Sequence, residues 1–450
     1  MYMINKFLLS REERVNYQIS LLNKYPAKTL VTVKINYPGL NKSNFVNDQI
    51  IEIICDQILL YYSTEILHYE YYNSLEGVIY HFIFDIDFEN TKKVMVAIEE
   101  NHILGRCVDI DVYKLEETIV SASRTHLGFP ARKCFICEED ARICSRKQTH
   151  PFEVIENYFS ELYMKYVDTR ADTEKKCNQI ALLVCKAIIC EASTYPSFGL
   201  VSPVSNGAHD DMDYYMFLNS ALAITPYFKQ MAIAGFTFIE PERIFNVIRN
   251  IGIECEHKMY EVTKGVNTHK GLIFLMGVCI TSLTKNMYDD GNFENIQNII
   301  KLMVTNILDD FKNVNDKEKL THGERLYVKN GFTGIRGQVK DGLDIIFSHI
   351  IKLYEHNDLP ERERNVQILI ELMAQVEDST VVYRHNLPTL RQVQQDAKKL
   401  LKMGGISTHN GREFMDKLQE HYIENKISSG GCADLLAISI FLLEIKSKFY

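Results

Sequence analysis

The chain has 450 residues, 46% of them hydrophobic and 24% charged, with a formal net charge of −9 at pH 7. That length exceeds one ordinary core and implies roughly two or three folding units, while the mixed composition without low-complexity tracts excludes a disordered chain. The acidic balance gives no general electrostatic footprint for a phosphodiester backbone, so no nucleic acid is expected as a partner.

From the N-terminus, MYMINKFLLSREERVN sets charges directly behind a short apolar stretch, which is not the layout of a secretory signal. Helical spacing follows over Arg11 to Lys24 around Val15, Ile19 and Leu22, and a β-branched run from Thr29 to Ile35 ends at the turn Asn36-Tyr37-Pro38-Gly39. Val78 to Phe84 and Cys107 to Val112 read as further strands, with a helical Lys92 to Glu100 between them. From about Phe152 the pattern changes to long helical segments, and the polar stretch Val167 to Lys176 reads as a linker or the exposed start of a helix. The expectation is a multidomain chain, with an α+β domain over 1–165 and an all-α domain over 166–450. The longest apolar run, Leu272 to Leu283, is too short to cross a bilayer, so a cytoplasmic protein without membrane contact is expected. Eleven cysteines, an odd number, fit reduced thiols or metal ligands better than a disulfide framework.

Chemistry-bearing residues appear first in Cys107-Val108-Asp109-Ile110-Asp111-Val112, where a strand period of two puts three apolar residues on one face and both aspartates on the other. Two such carboxylates can grip Mg²⁺ against a phosphate chain; a solvated strand edge carries the same pattern, which recurs at Asp85 and Asp87. Cys134, Cys137, Cys144 and His150 follow with spacing C-x2-C-x6-C-x5-H. Four soft ligands at that spacing can close a tetrahedral Zn²⁺ site, and they also read as reduced thiols. Arg124, Arg132, Arg142 and Arg146 make the neighbourhood locally basic, as pyrophosphate binding or a solvated face requires.

Arg11-Glu12-x-Arg14, Asn36-x-Pro38-Gly39-x-x-Lys42, Asp109-x-Asp111, Ser123-Arg124, Arg132-x-Cys134-x-x-Cys137, Cys144-x-Arg146 and His150 stand in this order over residues 5 to 160. Together they resemble the apo-citrate lyase phosphoribosyl-dephospho-CoA transferase family. The resemblance implies a nucleotidyltransferase-like domain and favours Asp109 and Asp111 over Asp85 and Asp87 as the metal-binding, catalytic pair.

In the second part, GVNTHKG (265–271) and ISSGGCADLLA (427–437) are glycine-bearing turns that run straight into apolar helical patterns. A helix start offers unpaired N–H groups and partial positive charge, and Lys270 adds a full one, so two such turns suit a nucleotide with several phosphates. The segment 191–217 places a Gly/Pro/Ser loop before Asn206, a plausible N-cap, and then His209, Asp210, Asp211 and Asp213 as the polar entry to a helix. With THGERLYVKNGFTGIRG (321–337), these four segments resemble, in order, the triphosphoribosyl-dephospho-CoA synthase family over about residues 170 to 450.

That resemblance implies attack by the 2′-hydroxyl of 3′-dephospho-CoA on C1′ of the ATP ribose, with adenine expelled. By residue chemistry, His209, His269 and Glu324 are acid–base candidates. Asn267, Lys270, Arg336, Ser428, Gly430 and Gly431 are phosphate candidates, and Asp211 and Asp434 are Mg²⁺ candidates. The two resemblances together imply a fusion that builds the citrate lyase prosthetic group and attaches it to a serine of the apo acyl carrier (gamma) subunit, with Arg124 and Arg132 on the pyrophosphate. The same chemistry for malonate decarboxylase is an alternative. So is a C-terminal domain that binds nucleotide without turnover, because the family's Lys and Asp are Ser197 and Ser202 here, its Arg-Gly-Glu is Arg336-Gly337-Gln338, and its Asp-Thr-Asn and Arg-Gly-Gly are Asp378-Ser379-Thr380 and Arg384-His385-Asn386.

Overall fold

The computed structural model describes residues 2–40, 42–137, 139–311, 320 and 322–450. The chain divides into two compact units, Met1–Asp172 and Thr173–Tyr450. The first is built on a small antiparallel sheet and the second is mostly helical.

In the first unit the order is α1 (Tyr2–Lys24), β1 (Thr29–Ile35), α2 (Phe45–Tyr62), β2 (Ile66–Ser74), β3 (Gly77–Phe84), α3 (Phe88–Asn101), β4 (Val108–Leu115), β5 (Ile119–Ser121) and α4 (Ala141–Lys147). Helix α5 (Phe152–Ala192) contains the division between the units. The strands pair antiparallel in the order β2-β3-β1-β4-β5. Side chains alternate along each strand, so Val31, Val33, Ile35, Phe82, Phe84, Val108, Ile110 and Val112 form one buried face. Helices α2 and α3, which pack on these strands, cover it. The opposite face changes character along its length. At one end Leu30 and Ile83 join Leu21 and Leu22 of α1 and the partly buried Tyr113. One step along, Thr32 lies between His81 and Asp111, and one step further Lys34 pairs with Asp109 in register. Helix α1 bridges the transition, because Gln18 Nε2 donates to Thr32 Oγ1 at 2.9 Å and Thr32 Oγ1 lies 2.9 Å from His81 Nδ1.

The second unit continues with α6 (Tyr214–Gly235), α7 (Pro241–Val262), α8 (Lys270–Tyr288), α9 (Asn295–Met303), α10 (His322–Asn330), α11 (Gly334–Lys340), α12 (Ile351–Tyr354), α13 (Glu361–Gln375), α14 (Ser379–Arg384), α15 (Leu387–Lys402), α16 (His409–Glu424) and α17 (Gly430–Phe449). Helices α6, α7 and α8 pack on one another, α13 packs on α15 and α17, and α8 meets α17. Three local expectations change. The stretch 167–176 is neither linker nor helix start but the interior of α5; Arg170 with Glu174 and Asp172 with Lys176 stand at the i,i+4 spacing that supports an exposed helix. The cap of α6 is Asp213, whose carboxylate accepts from Met216 N at 2.8 Å, while Asn206 lies upstream in the turn around Gly207 (φ 61°). The run Leu272 to Leu283 belongs to a 19-residue helix that is long and apolar enough to cross a membrane by length and composition, and 78% of that window is buried inside the unit.

Close approach of α6 and α8 depends on Gly235, where a Cβ would strike Thr281 O and Thr284 Oγ1; Thr281 Oγ1 donates across the same contact to Met231 O at 3.1 Å. Gly235→Ala is expected to destabilise the chain by about 1–3 kcal/mol through overpacking, although alanine is the better helix former. Urea unfolding followed by circular dichroism reads this, and an unchanged midpoint would mean the helices separate without loss.

Candidate active sites

On the polar half of the sheet in the first unit, Lys34 Nζ forms an ion pair with Asp111 and lies 3.9 Å from Asp109 Oδ2. Arg132 reaches the same place from the loop after β5, with Nη1 2.6 Å from Asp109 Oδ1 and Nη2 2.9 Å from Glu99 Oε1 and 2.8 Å from Val108 O. Behind them the outer edge of β4 is satisfied by side chains. Ile110 N donates to Glu99 Oε1 at 3.0 Å, and Lys92 Nζ donates to Ile110 O at 2.7 Å. Burial would raise the Asp111 pKa, but the charge and hydrogen bond of Lys34 hold it below the usual carboxylate range. Burial likewise opposes the Lys34 ammonium, yet Asp111 and Asp109 keep its pKa raised. Lys42, from the turn after β1, is lowered by burial against the pull of Asp109. Arg124 pairs with Glu100 and lies 3.8 Å from Glu99.

Asp109, Asp111, Arg124 and Arg132 are therefore brought together. Sequence reasoning missed Lys34, Glu99 and Lys92, because only the strand register and the packing of α3 put them there. Asp85 and Asp87 do structural work instead: Asp85 pairs with Lys28, and Asp87 caps α3 by accepting from Asn90 N. A cavity of roughly 570 Å³ in this unit lies between α1 and the β2–β3 turn; Arg14 lines it, but neither aspartate does.

Cys134, Cys137, Cys144 and His150 also converge, with their ligand atoms all within 4.8 Å of one another. Burial raises the Cys134 thiol, but the N–H groups of Ile136 and Cys137 outweigh it and bring it down to about 7.

In the helical unit, three of the four sequence segments meet either the fourth, at 427–434, or the short stretch 378–386. His209 Nε2 lies 3.1 Å from Ser428 Oγ and its Nδ1 lies 3.2 Å from Arg384 Nη2. A guanidinium only donates, so Nδ1 accepts, Nε2 carries the proton and Ser428 Oγ receives it. Burial, reinforced by Arg384, lowers the His209 pKa to about 4. A Cβ on Gly199 would strike Ile427 O, one on Gly334 would meet Ser379 Oγ at 3.4 Å, and one on Gly431 would meet Asp378 Oδ1 at 3.0 Å. Gly271 makes room for Asp434, so the two helix starts of α8 and α17 touch through that carboxylate. Burial pushes Asp434 and Glu191 well above the carboxylate range, with Asp378 adding to the first and Asp434 to the second. Asp378 is raised by burial too, against hydrogen bonds from Cys432, Thr380 and Val381 N–H groups. Among the described residues, no lysine, arginine or histidine pairs with Glu191, Asp378 or Asp434.

The other expected residues divide. Asn267 Oδ1 accepts from Lys270 N at 3.1 Å, capping α8, and Lys270 Nζ pairs with Glu256 at 2.8 Å. His269 is buried, its Nδ1 2.8 Å from Ser220 Oγ and its Nε2 without a protein partner, and burial lowers it to about 3. Glu324 is buried in the first turn of α10, and Arg336 of α11 stacks over Phe311 with a nitrogen near Gly323. At the start of α17, Asp378 Oδ2 accepts from Cys432 N at 3.0 Å and Ser429 Oγ is buried without a partner among the described residues; Gly431 faces the Asp378 carboxylate, Gly430 faces Thr380, and Ser428 meets His209. Asp211 stands apart from Asp434 in kind. It is largely exposed, 4.0 Å from His209 Nδ1, at a cleft of roughly 440 Å³ that Arg384, His385 and Lys426 also line. Ser197 and Ser202 make local loop bonds, to Leu200 O at 2.9 Å and Ser205 O at 3.3 Å. Glu191 and Asp378 were missed as site residues; the first ends a long helix and the second reads as an ordinary cap.

Two family models match the chain, over separate ranges. The family model described as apo-citrate lyase phosphoribosyl-dephospho-CoA transferase matches residues 2–166, and that described as ATP:dephospho-CoA triphosphoribosyl transferase matches residues 177–450. Protein CitXG of Haemophilus influenzae is 30% identical over 462 residues, covering 99% of this chain and 97% of that protein. Protein CitXG of Leuconostoc mesenteroides subsp. cremoris is 28% identical over 450 residues, covering 97% and 96%. The 2-(5''-triphosphoribosyl)-3'-dephosphocoenzyme-A synthase of Haemophilus ducreyi is 32% identical over 331 residues, covering 69% of this chain and 99% of that protein. The chain is accordingly a transferase and belongs to the CitXG family, whose members join the two matched regions in one polypeptide.

Proposed function

We propose that the helical unit makes 2′-(5″-triphosphoribosyl)-3′-dephospho-CoA from ATP and 3′-dephospho-CoA, and that the sheet unit then transfers phosphoribosyl-dephospho-CoA to a serine of the apo citrate lyase acyl carrier subunit. The observation that carries this reading is the approach of buried carboxylates from separate parts of the matched synthase region, with Asp434 next to Glu191, to Asp378 and to Gly271 of the 265–271 turn.

In the first step the 2′-hydroxyl oxygen of dephospho-CoA bonds to C1′ of the ATP ribose, the C1′–N9 bond breaks, and adenine leaves with a proton. Glu191 and Asp434 suit the base that receives the hydroxyl proton, since burial has made both more basic than ordinary carboxylates. Negative charge from the same cluster favours the oxocarbenium-like centre. Asp434, a hard oxygen donor next to Glu191 and Asp378, would give part of the shell of Mg²⁺ arriving with the triphosphate; when bound, Mg²⁺ would supply counter-charge to the triphosphate. His209, neutral and held between Arg384 and Ser428, serves to orient rather than to take protons.

In the second step the carrier serine oxygen bonds to the α-phosphorus, the bond to the bridging oxygen of the β-phosphate breaks, and pyrophosphate leaves. Lys34, Lys42 and Arg132 carry the charge that develops on it, and Asp109 receives the serine proton while Lys34 keeps Asp111 ionised. Both keep about a third of the side chain exposed, at 32% and 37%, so oxygen donors face solvent for Mg²⁺ that arrives with the substrate. These features support a nucleotidyltransferase-like reading of the sheet unit.

Purified chain with ATP, 3′-dephospho-CoA and Mg²⁺ is expected to release adenine, and apo carrier to gain mass. Asp109→Asn should lower carrier labelling by about 10²-fold or more while sparing adenine release, and Asp434→Asn should do the reverse when the triphosphoribosyl compound is supplied. Loss of both activities together in either folded variant would overturn the assignment of one step to each unit. No adenine from the wild-type chain, with labelling intact, would mean that Ser197, Ser202 and Gln338 leave a domain that binds without turnover.

A raised carboxyl pKa means the folded chain holds its proton more tightly than the unfolded chain, so these groups cost stability as pH rises, and a bound cation offsets that cost. The rise in melting temperature on adding Mg²⁺ should therefore be larger at about pH 8 than at about pH 6.5, and Asp434→Asn should remove the difference. The increment is the quantity to read, because His81, His102 and His209, lowered to about 4, take stability away in the other direction as pH falls below their unfolded value. Equal increments at both pH values would argue against Mg²⁺ at this cluster.

A further inference from the structure

We infer that Cys134, Cys137, Cys144 and His150 hold a Zn²⁺ ion whose role is to fix the loop that carries Arg132 over Asp109. The four ligand atoms lie within 4.8 Å of one another. A tetrahedral zinc site with sulfur at about 2.3 Å and nitrogen at about 2.0 Å has edges of about 3.5–3.8 Å, so closing it asks each side chain to move by only about an ångström. Three thiols and one imidazole are a soft set that selects zinc over magnesium or calcium. Four protein ligands leave no open position, which makes the site structural.

The local backbone is already built for it. Ile136 N donates to Cys134 Sγ at 3.4 Å, the kind of outer hydrogen bond that orients a thiolate ligand. Asp140 accepts from Arg142 N and Ile143 N and starts α4, which puts Cys144 one turn in; Gln148, at φ 49°, ends that helix and turns the chain to His150, whose Nε2 is 3.3 Å from Cys137 Sγ. The cysteines are free thiols. Apart from Phe135, which stacks on Tyr158, and the buried Cys144, the segment from 131 to 150 is half-buried or exposed where it is described, so it has little core to hold its shape.

The same segment holds Arg132. Ala141 N donates to Arg132 O at 2.9 Å, Cys134 N donates to Glu139 O at 2.8 Å, and Lys133 pairs with Asp140 in a β-bridge. Arg132 thus leaves a clip closed by the cluster two residues later, and its guanidinium spans Asp109 and Glu99. Binding displaces the protons of the three thiols onto solvent and leaves His150 neutral.

The inference about Arg132 rests on reading Asp109 as part of the transfer site, whereas the metal site itself does not, and the experiment separates them. Full-length chain purified under reducing conditions should carry about one equivalent of zinc, read by atomic emission. In the native chain Cys134, Cys137 and Cys144 should resist iodoacetamide and become reactive after chelation, read by peptide mass spectrometry. Co²⁺ exchanged for zinc should show the intense visible absorption of a tetrahedral thiolate site. Chelation should lower carrier labelling about tenfold or more, added Zn²⁺ should restore it, and adenine release from the same sample should stay constant. Substoichiometric zinc with free-thiol reactivity at these three cysteines, or a disulfide among them in the native chain, would overturn the site. Zinc and protection as expected, with labelling unmoved by chelation, would overturn the positioning role while leaving the metal.

Discussion

A carboxylate removed from water must be met by a cation or by donors, since an unmet charge costs several kcal/mol, and the two units answer that constraint in opposite ways. In the sheet unit the answer is covalent to the chain. Lys34 arrives on β1, Lys92 and Glu99 on α3 and Arg132 on the loop after β5, and together they fix which way Asp109 and Asp111 point. In the helical unit Asp434 lies near both Glu191 and Asp378, only Asp378 accepts hydrogen bonds from backbone, and among the described residues none of the three has a cationic partner, so their raised pKa values are the record of unanswered charge.

The contrast bears on the two reactions. Transfer at phosphorus displaces pyrophosphate, and cations fixed beforehand by their own ion pairs need little rearrangement when negative charge builds up. Displacement at C1′ of a ribose develops positive charge at carbon, for which buried carboxylates are the useful environment. Each unit carries the sign of charge that its proposed step calls for.

Much of this was legible in the sequence, and the limits have physical reasons. Alternation over Val108 to Val112 gave the face on which Asp109 and Asp111 stand, because a strand period depends on adjacent residues alone. The spacing of three cysteines and His150 gave a cluster because turns and a short helix close it locally. Lys34 was out of reach, since its place opposite Asp109 depends on antiparallel register between strands more than seventy positions apart. Glu191 and Asp378 were out of reach for a similar reason: each looks like an ordinary helix-end residue until α8, α14 and α17 are packed together. Lys270 shows the same limit on the surface. Its position at a glycine-bearing helix start suggests phosphate, and its pairing with Glu256 of α7 is one that no local pattern announces.

The capping of α17 has a further consequence. The positive end of a helix is a limited resource, and here Asp378 has drawn on it through Cys432 while also capping α14 through Thr380 and Val381. An anion approaching this end meets a resident of its own sign. Bare phosphate or sulfate is thereby disfavoured, and entry is left to species that arrive already neutralised, so that ionic strength and simple oxyanions compete poorly for a place that a metal-complexed polyphosphate could occupy.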